Sequence, residues 1–220
     1  MNQVLSAEAA MARAIECASY GLGKTFPNPI VGAVITSATG EFISEGFHQG
    51  ADHAEVIAIK GAKEIPAGST LYVSLEPCSH FGKTPPCTVS LIDAKPKRVV
   101  IGSSDTNPSV SGKGIDRLKA EGIEVITGIL ESECRDLNKR FFTFHEKRRP
   151  YVILKWAQTI DGFMAPVPDK RANDPKPFWI TNTVSRQRVH QWRSEEQAIL
   201  VGTQTIIDDN PKLNIRDWAG

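Results

Sequence analysis

The chain has 220 residues, 40% of them apolar and 23% charged, which is the balance of one or two globular domains able to bury a core. The net charge is only +1 and no basic run exceeds Lys147-Arg148-Arg149, which argues against a nucleic-acid partner. The N-terminus lacks the basic-then-apolar pattern of a signal peptide and no apolar run approaches a membrane span, so the expectation is a cytoplasmic protein with no membrane partner.

In chain order, Ser6 is a candidate N-cap for a helix over Ala7 to Tyr20, with Met11, Ile15 and Ala18 at helical spacing and Gly21 and Gly23 ending it. Thr25-Phe26-Pro27-Asn28-Pro29 follows, where two prolines fix an extended or turn backbone around the Asn28 amide. Ile30 to Thr36 and Phe42 to Phe47 read as a β-hairpin across a Ser-Ala-Thr-Gly turn, ending at His48. His53 to Glu64 reads as a helix carrying His53 and Glu55 in its first turn. Thr70 to Leu75 is predicted as a strand that delivers Glu76-Pro77-Cys78 at its C-terminal end, where open α/β sheets carry ligand sites. Pro85-Pro86 opens another helix with Cys87 in its first turn, where the helix dipole favours thiolate over thiol.

Beyond Cys87, Lys97 to Gly102 is a predicted strand leading into the loop Ser103-Ser104-Asp105-Thr106-Asn107-Pro108. Gly114 to Ala120 reads as a helix, Ile123 to Thr127 as a strand, and Glu131 to Glu146 as one long helix with Leu137, Phe141 and Phe144 on one face. Alternating strands and helices predict an α/β layered fold. The charged run ending at Pro150 marks a boundary, giving a domain over 1–146 and a second segment over 150–220 that opens with a strand from Tyr151 to Ala157.

The chemistry concentrates in two stretches, His53-Ala54-Glu55 and the run from Glu76 to Cys87. One imidazole and two thiolates supply three ligands for a tetrahedral zinc with a fourth position open for water, the pattern of a catalytic site. Glu55 lies close enough to the metal to move protons for that water without binding it. Zinc deaminases carry this signature as H-x-E followed by P-C and a second Cys. Here the usual two-residue gap between the cysteines is replaced by eight residues, SHFGKTPP. Cys17 and Cys134 lie in helical patterns and read as small packing residues. Lys83, a flexible ammonium in the Gly-containing loop between Cys78 and Cys87, is a candidate partner for a phosphate dianion.

Together and in order, F-P-N-P-I-V-G-A-V, H-A-E and L-E-P-C-S-H-F-G-K-T-P-P-C resemble the deaminase domain of the bifunctional riboflavin-biosynthesis deaminase/reductase family. K-W-A-Q-T-I-D-G, F-W-I-T-N and Q-A-I-L-V-G-T-Q-T-I-I-D-D-N-P-K-L-N-I-R resemble the opening of its reductase domain. The resemblance implies a three-layer α/β/α cytidine-deaminase-like domain with a mixed central sheet, followed by the start of a dihydrofolate-reductase-like α/β domain. It implies zinc on His53, Cys78 and Cys87, Glu55 as the catalytic residue, and a phosphorylated ribosylaminopyrimidine held by Asn28, His48, His80, Lys83, Asp105 and Asn107. In the second segment it implies NADPH contacts at Ala157, Trp179, Thr205 and Asp209, and sugar-phosphate contacts at Arg193, Leu213 and Arg216. It also implies a homo-oligomer, expected as a dimer. The chain departs from the family in two places: Thr106 stands where the loop usually has proline, and the connection from His48 to His53 is short. About seventy residues cannot supply a complete nucleotide-binding sheet, so deamination without reduction is expected. Two other readings remain, a nucleoside or transfer-RNA deaminase and a closed structural zinc site. The first normally has the P-C-x-x-C spacing absent here, and the second needs a fourth ligand that Cys17 and Cys134 are not spaced to give.

Overall fold

The hairpin turn at residues 37–40 sets up the sheet. Ser37 turns its hydroxyl back to accept from the N–H groups of Thr39 and Glu41, and Gly40 takes a positive φ of 86° that few other residues tolerate. This joins β1 (Gly32–Thr36) to β2 (Phe42–Phe47) as antiparallel neighbours. The computed structural model describes residues 3–82, 84–107, 110–166 and 178–219. They divide into two compact units, Met1–Tyr151 and Val152–Gly220.

In the first unit β3 (Thr70–Leu75), β4 (Arg98–Ser103) and β5 (Glu124–Thr127) complete a five-stranded sheet in the order β2-β1-β3-β4-β5. β1 runs antiparallel to β3, whereas β3, β4 and β5 are mutually parallel, so the sheet is mixed. The period of two along the central strands feeds two cores. Ala33, Ile35, Leu71, Val73, Val99 and Ile101 face one side, where they pack with Ala54 and Ala58 of α2 (Ala54–Ala62), Leu91 of α3 (Cys87–Ala94) and Leu118 of α4 (Lys113–Ala120). Val34, Tyr72 and Val100 face the other side, against Ala10, Met11 and Ala14 of α1 (Ala7–Ser19) and Cys134 of α5 (Glu131–Leu137). The result is helix, sheet, helix: three layers. α1 begins where Ser6 accepts a hydrogen bond from the Ala9 N–H at 3.2 Å.

Strand directions bring the functional loops to one edge. Because β1 opposes β3, the start of β1 and the end of β2 lie beside the C-terminal ends of β3 and β4. Gly46 lets α2 come close there. A Cβ at this position would stand 2.6 Å from the Ala54 carbonyl oxygen and 2.7 Å from the Ala58 nitrogen, so any side chain would push α2 off the sheet.

The single helix expected over Glu131 to Glu146 is two. α5 stops at Asn138, and α6 (Lys139–Lys147) starts from it. Asn138 leaves helical geometry to bond the backbone of Ile30 twice, its Oδ1 accepting from the Ile30 N–H at 2.8 Å and its Nδ2 donating to the Ile30 carbonyl at 2.7 Å. The break also rotates the apolar stripe: Phe142 is the buried residue, while Phe144 is more than half exposed. Asn138→Ala is expected to cost about 1–3 kcal/mol, because it strands a part-buried N–H and C=O of Ile30 together. A urea midpoint equal to that of the parent chain would contradict this role for the amide.

The second unit contains α7 (Thr183–Glu195), capped by Asn182 accepting from the Ser185 N–H at 2.9 Å, and α8 (Thr203–Asp209). The strand expected from Tyr151 to Ala157 does not form, since no neighbouring strand is among the described residues to complete its ladder. Among the described residues no helix is long and apolar enough to cross a membrane.

Candidate metal centre and substrate edge

His53 is the N-cap of α2 rather than a first-turn residue, in extended backbone at φ −79° and ψ 157°. Its ring is thereby turned off the end of the helix, toward the loop that follows β3. Cys78 lies three residues beyond β3, after the rigid Glu76-Pro77 pair, and Cys87 is the first residue of α3. His53 Nδ1 stands 3.0 Å from Cys87 Sγ and 3.6 Å from Cys78 Sγ, and the three ligand atoms all lie within 4.8 Å of one another. A tetrahedral zinc with ordinary Zn–N and Zn–S bonds sets N···S separations of roughly 3.5 Å, so this donor set has the chemistry and spacing of a three-ligand zinc site. Between the cysteines, His80, Phe81, Gly82 and Pro85 face solvent, Phe81 with 77% of its surface exposed, while Pro86 is buried. The α3 N-terminus brings the ends back together: the Cys87 N–H donates to Cys78 Sγ at 3.3 Å and the Thr88 N–H to the Cys78 carbonyl at 3.2 Å.

The cluster polarises its own thiols. Hydrogen bonding from the Cys87 side chain, helped by His53 and the Cys87 N–H, pulls the Cys78 thiol well below the usual thiol range. Its partner, Cys87, is held up as the donor of that bond and by burial. Cys17 and Cys134 are pushed the other way by burial, up to about 11 and about 12, and both pack in the interior as inert thiols. Glu55 occupies the first turn of α2, only 2% exposed, and burial raises its carboxyl above the usual range.

His48 is buried with its ring 4.9 Å from that of His53, and burial, followed by the neighbouring His53, lowers its basicity. The short connection closes as a tight turn, with Gln49 and Asp52 exchanging both backbone hydrogen bonds. Asn28 is exposed at the same edge, and the Phe26–Pro27 peptide before it is cis. The Asn28 carbonyl accepts from the Thr25 hydroxyl at 3.1 Å, and its N–H donates to the Thr25 carbonyl at 2.9 Å. Asp105 is buried just past β4, its carboxyl raised by that burial, and its Oδ1 accepts from the Asn107 N–H at 2.7 Å. Lys83 lies outside the described residues.

In the second unit, an open pocket of about 230 Å³ is lined by Ala157, Trp179, Arg193 and Arg216 among others. Thr205, Asp209 and Leu213 are not in it. Arg193 is occupied with the Asn214 carbonyl at 3.1 Å, and Trp179 lies under Arg186 at 4.4 Å.

Two buried polar residues with no role expected from sequence support this edge. Asn138 pins Ile30, two residues from Asn28. Glu76, 4% exposed, accepts from the N–H groups of Asp105, Gly112 and Gly114. A glutamate closing a run of six buried strand residues was the available signal for Glu76. Asn138 had none, since its partner lies 108 residues away.

A mixed sheet between two helical layers, with a His/Cys/Cys cluster at its edge and a carboxylate in the helix that the histidine caps, defines a cytidine-deaminase-like zinc domain. Residues 5–103 match the family described as the cytidine and deoxycytidylate deaminase zinc-binding region, and residues 150–220 match the RibD C-terminal domain. Across both regions the chain is similar to RibD proteins. It is 46% identical to the riboflavin biosynthesis protein RibD of Aquifex aeolicus, across 94% of this chain and 56% of that protein, and 42% identical to its Escherichia coli counterpart, across 95% and 55%. Among solved structures, the Thermotoga maritima diaminohydroxyphosphoribosylaminopyrimidine deaminase/5-amino-6-(5-phosphoribosylamino)uracil reductase matches with a TM-score of 0.86 at 46% identity, covering 95% of this chain and 59% of that one. Acinetobacter baumannii RibD matches at 0.85 and 43% identity, across 95% and 57%. The chain thus spans about half the length of the curated relatives it matches.

Proposed function

We propose that the first unit is a zinc-dependent aminohydrolase that removes an amino group from a phosphorylated ribosylaminopyrimidine in riboflavin biosynthesis. The observation that carries this reading is the convergence of His53 Nδ1, Cys78 Sγ and Cys87 Sγ within 4.8 Å, with Glu55 buried in the helix that His53 caps. Zinc on these three residues would supply Lewis acidity and lower the pKa of a water in the open fourth position. Glu55 then carries a proton from the attacking water to the ring nitrogen and a proton to the departing amine, so that ammonia leaves as the ring carbonyl forms. Asn28, His48, His80, Asp105 and Asn107 hold the base and sugar, and Lys83 meets the phosphate. The relatives' names support the substrate class, and the low net charge speaks against transfer RNA. The expected dimer and cytoplasmic setting belong to the same reading.

Ammonia release from a panel tests it. The phosphorylated diaminopyrimidine is expected to turn over, and its dephosphorylated form, cytidine and guanine to lag far behind; preference for cytidine would overturn the assignment. Lys83→Ala is expected to raise KM for the phosphorylated substrate by roughly tenfold to hundredfold, the worth of one charge-assisted contact, with zinc and kcat retained. The phosphate is remote from the reacting carbon and is bound alike in ground and transition states. A fall in kcat at constant KM would give Lys83 a different role.

For the second unit we propose that these 220 residues alone do not reduce the deaminated product. Among its described residues there is no strand, and only part of the expected NADPH and sugar-phosphate set shares one pocket. Product-dependent NADPH oxidation by the purified chain would disprove this.

A further inference from the structure

We infer that Glu76 is a positioning residue that locks the Asp105–Asn107 loop in register with the Cys78 metal ligand. The inference rests on the deaminase reading and adds to it a residue that binds neither metal nor substrate. Glu76 follows β3 directly, and its own N–H donates to the Ser103 carbonyl at the end of β4 at 2.9 Å. Its carboxylate then reaches across to the next loop. Oε2 accepts from the Asp105 N–H at 3.3 Å and the Gly112 N–H at 3.1 Å, and Oε1 accepts from the Gly114 N–H at 3.1 Å.

Three features make this more than an ordinary satisfied carboxylate. First, the acceptor is buried, where hydrogen bonds to a charged group are worth more than in water. Second, Gly112 caps α4 and Gly114 is in its first turn, so the negative charge also sits against the positive end of that helix. Third, the approach is too close for a side chain at residue 114: a Cβ there would stand 2.1 Å from the Pro77 carbonyl oxygen and 3.3 Å from Glu76 Oε1. One carboxylate therefore joins the segment 76–78, which ends in a metal ligand, to Asp105 just past β4 and to Gly112 and Gly114 at the start of α4. Asp105 adds the last link by ordering Asn107 through the 2.7 Å bond to its N–H.

Glutamine in place of Glu76 keeps the volume but offers a single acceptor oxygen, and its NH2 faces N–H donors. With Glu76→Gln in the full chain, zinc content is expected to be unchanged. KM for the phosphorylated pyrimidine is expected to rise roughly tenfold to hundredfold, the size of a lost charge-assisted hydrogen bond, while kcat changes by less than about threefold. Backbone amide exchange across residues 103–114 is expected to accelerate. Leu118→Ala, a fully buried α4 residue away from the carboxylate, is the control for simple destabilisation: it is expected to lower Tm and leave KM alone. If Glu76→Gln fails to fold, Glu76→Asp carries the same readouts, because the shorter side chain cannot reach all three donors. An unchanged KM with parental amide exchange overturns the inference, and so does a KM rise reproduced by Leu118→Ala. Should the parent chain itself release no ammonia, the deaminase reading fails separately, and amide exchange alone still decides whether Glu76 holds the loop.

Discussion

Glu55→Gln is expected to lower ammonia release by about 10²- to 10⁴-fold, the usual contribution of a general acid/base residue, while leaving zinc in place. Glutamine has nearly the same shape and fits the same buried slot in the first turn of α2, so packing changes little. What it cannot do is accept and return a proton. The prediction separates proton transfer from metal binding, because Glu55 is not among the three converging ligands. Turnover within about tenfold of the parent would remove Glu55 from the chemistry.

Cys87→Ser should remove both metal and activity. A serine hydroxyl does not ionise near neutral pH, and the two remaining ligands cannot hold zinc in a tetrahedral site. Atomic absorption is expected to fall to background and ammonia release with it. The melting temperature should fall as well, since zinc that binds only the folded state adds to its stability. Full metal occupancy in this variant would mean that the eight-residue spacing places some other residue at the metal.

How much of this was legible in the sequence follows from where each interaction closes. His53, Cys78 and Cys87 stand out as residue types that ligate zinc, with Glu55 two residues from the histidine as its proton carrier, and short helices and strands fix them locally. β1 follows from a stretch rich in β-branched residues and β2 from the turn that precedes it, and the structure forms each of the five strands within a residue or two of its expected span. The helix from 131 to 146 was misread because its 3.6-residue pattern continues through Asn138, whereas the break is set by hydrogen bonds to Ile30. Residues 151–157 have strand composition, but a strand needs a partner ladder as well as propensity. Glu76 shows the same limit at the site: the motif exposes its position, while its three N–H partners, Asp105 past β4 and Gly112 and Gly114 at the start of α4, lie 29 to 38 residues on.

The central claim is that this chain, zinc-loaded, converts an amino group of the phosphorylated diaminopyrimidine to a carbonyl without touching the ribose. A single assay following ammonia and NADPH together tests it most directly. The account predicts one ammonia per substrate consumed, loss of the reaction on chelation with recovery on adding zinc, and no change in NADPH. Ammonia release that survives complete removal of zinc, or none from the zinc-loaded chain, would contradict it.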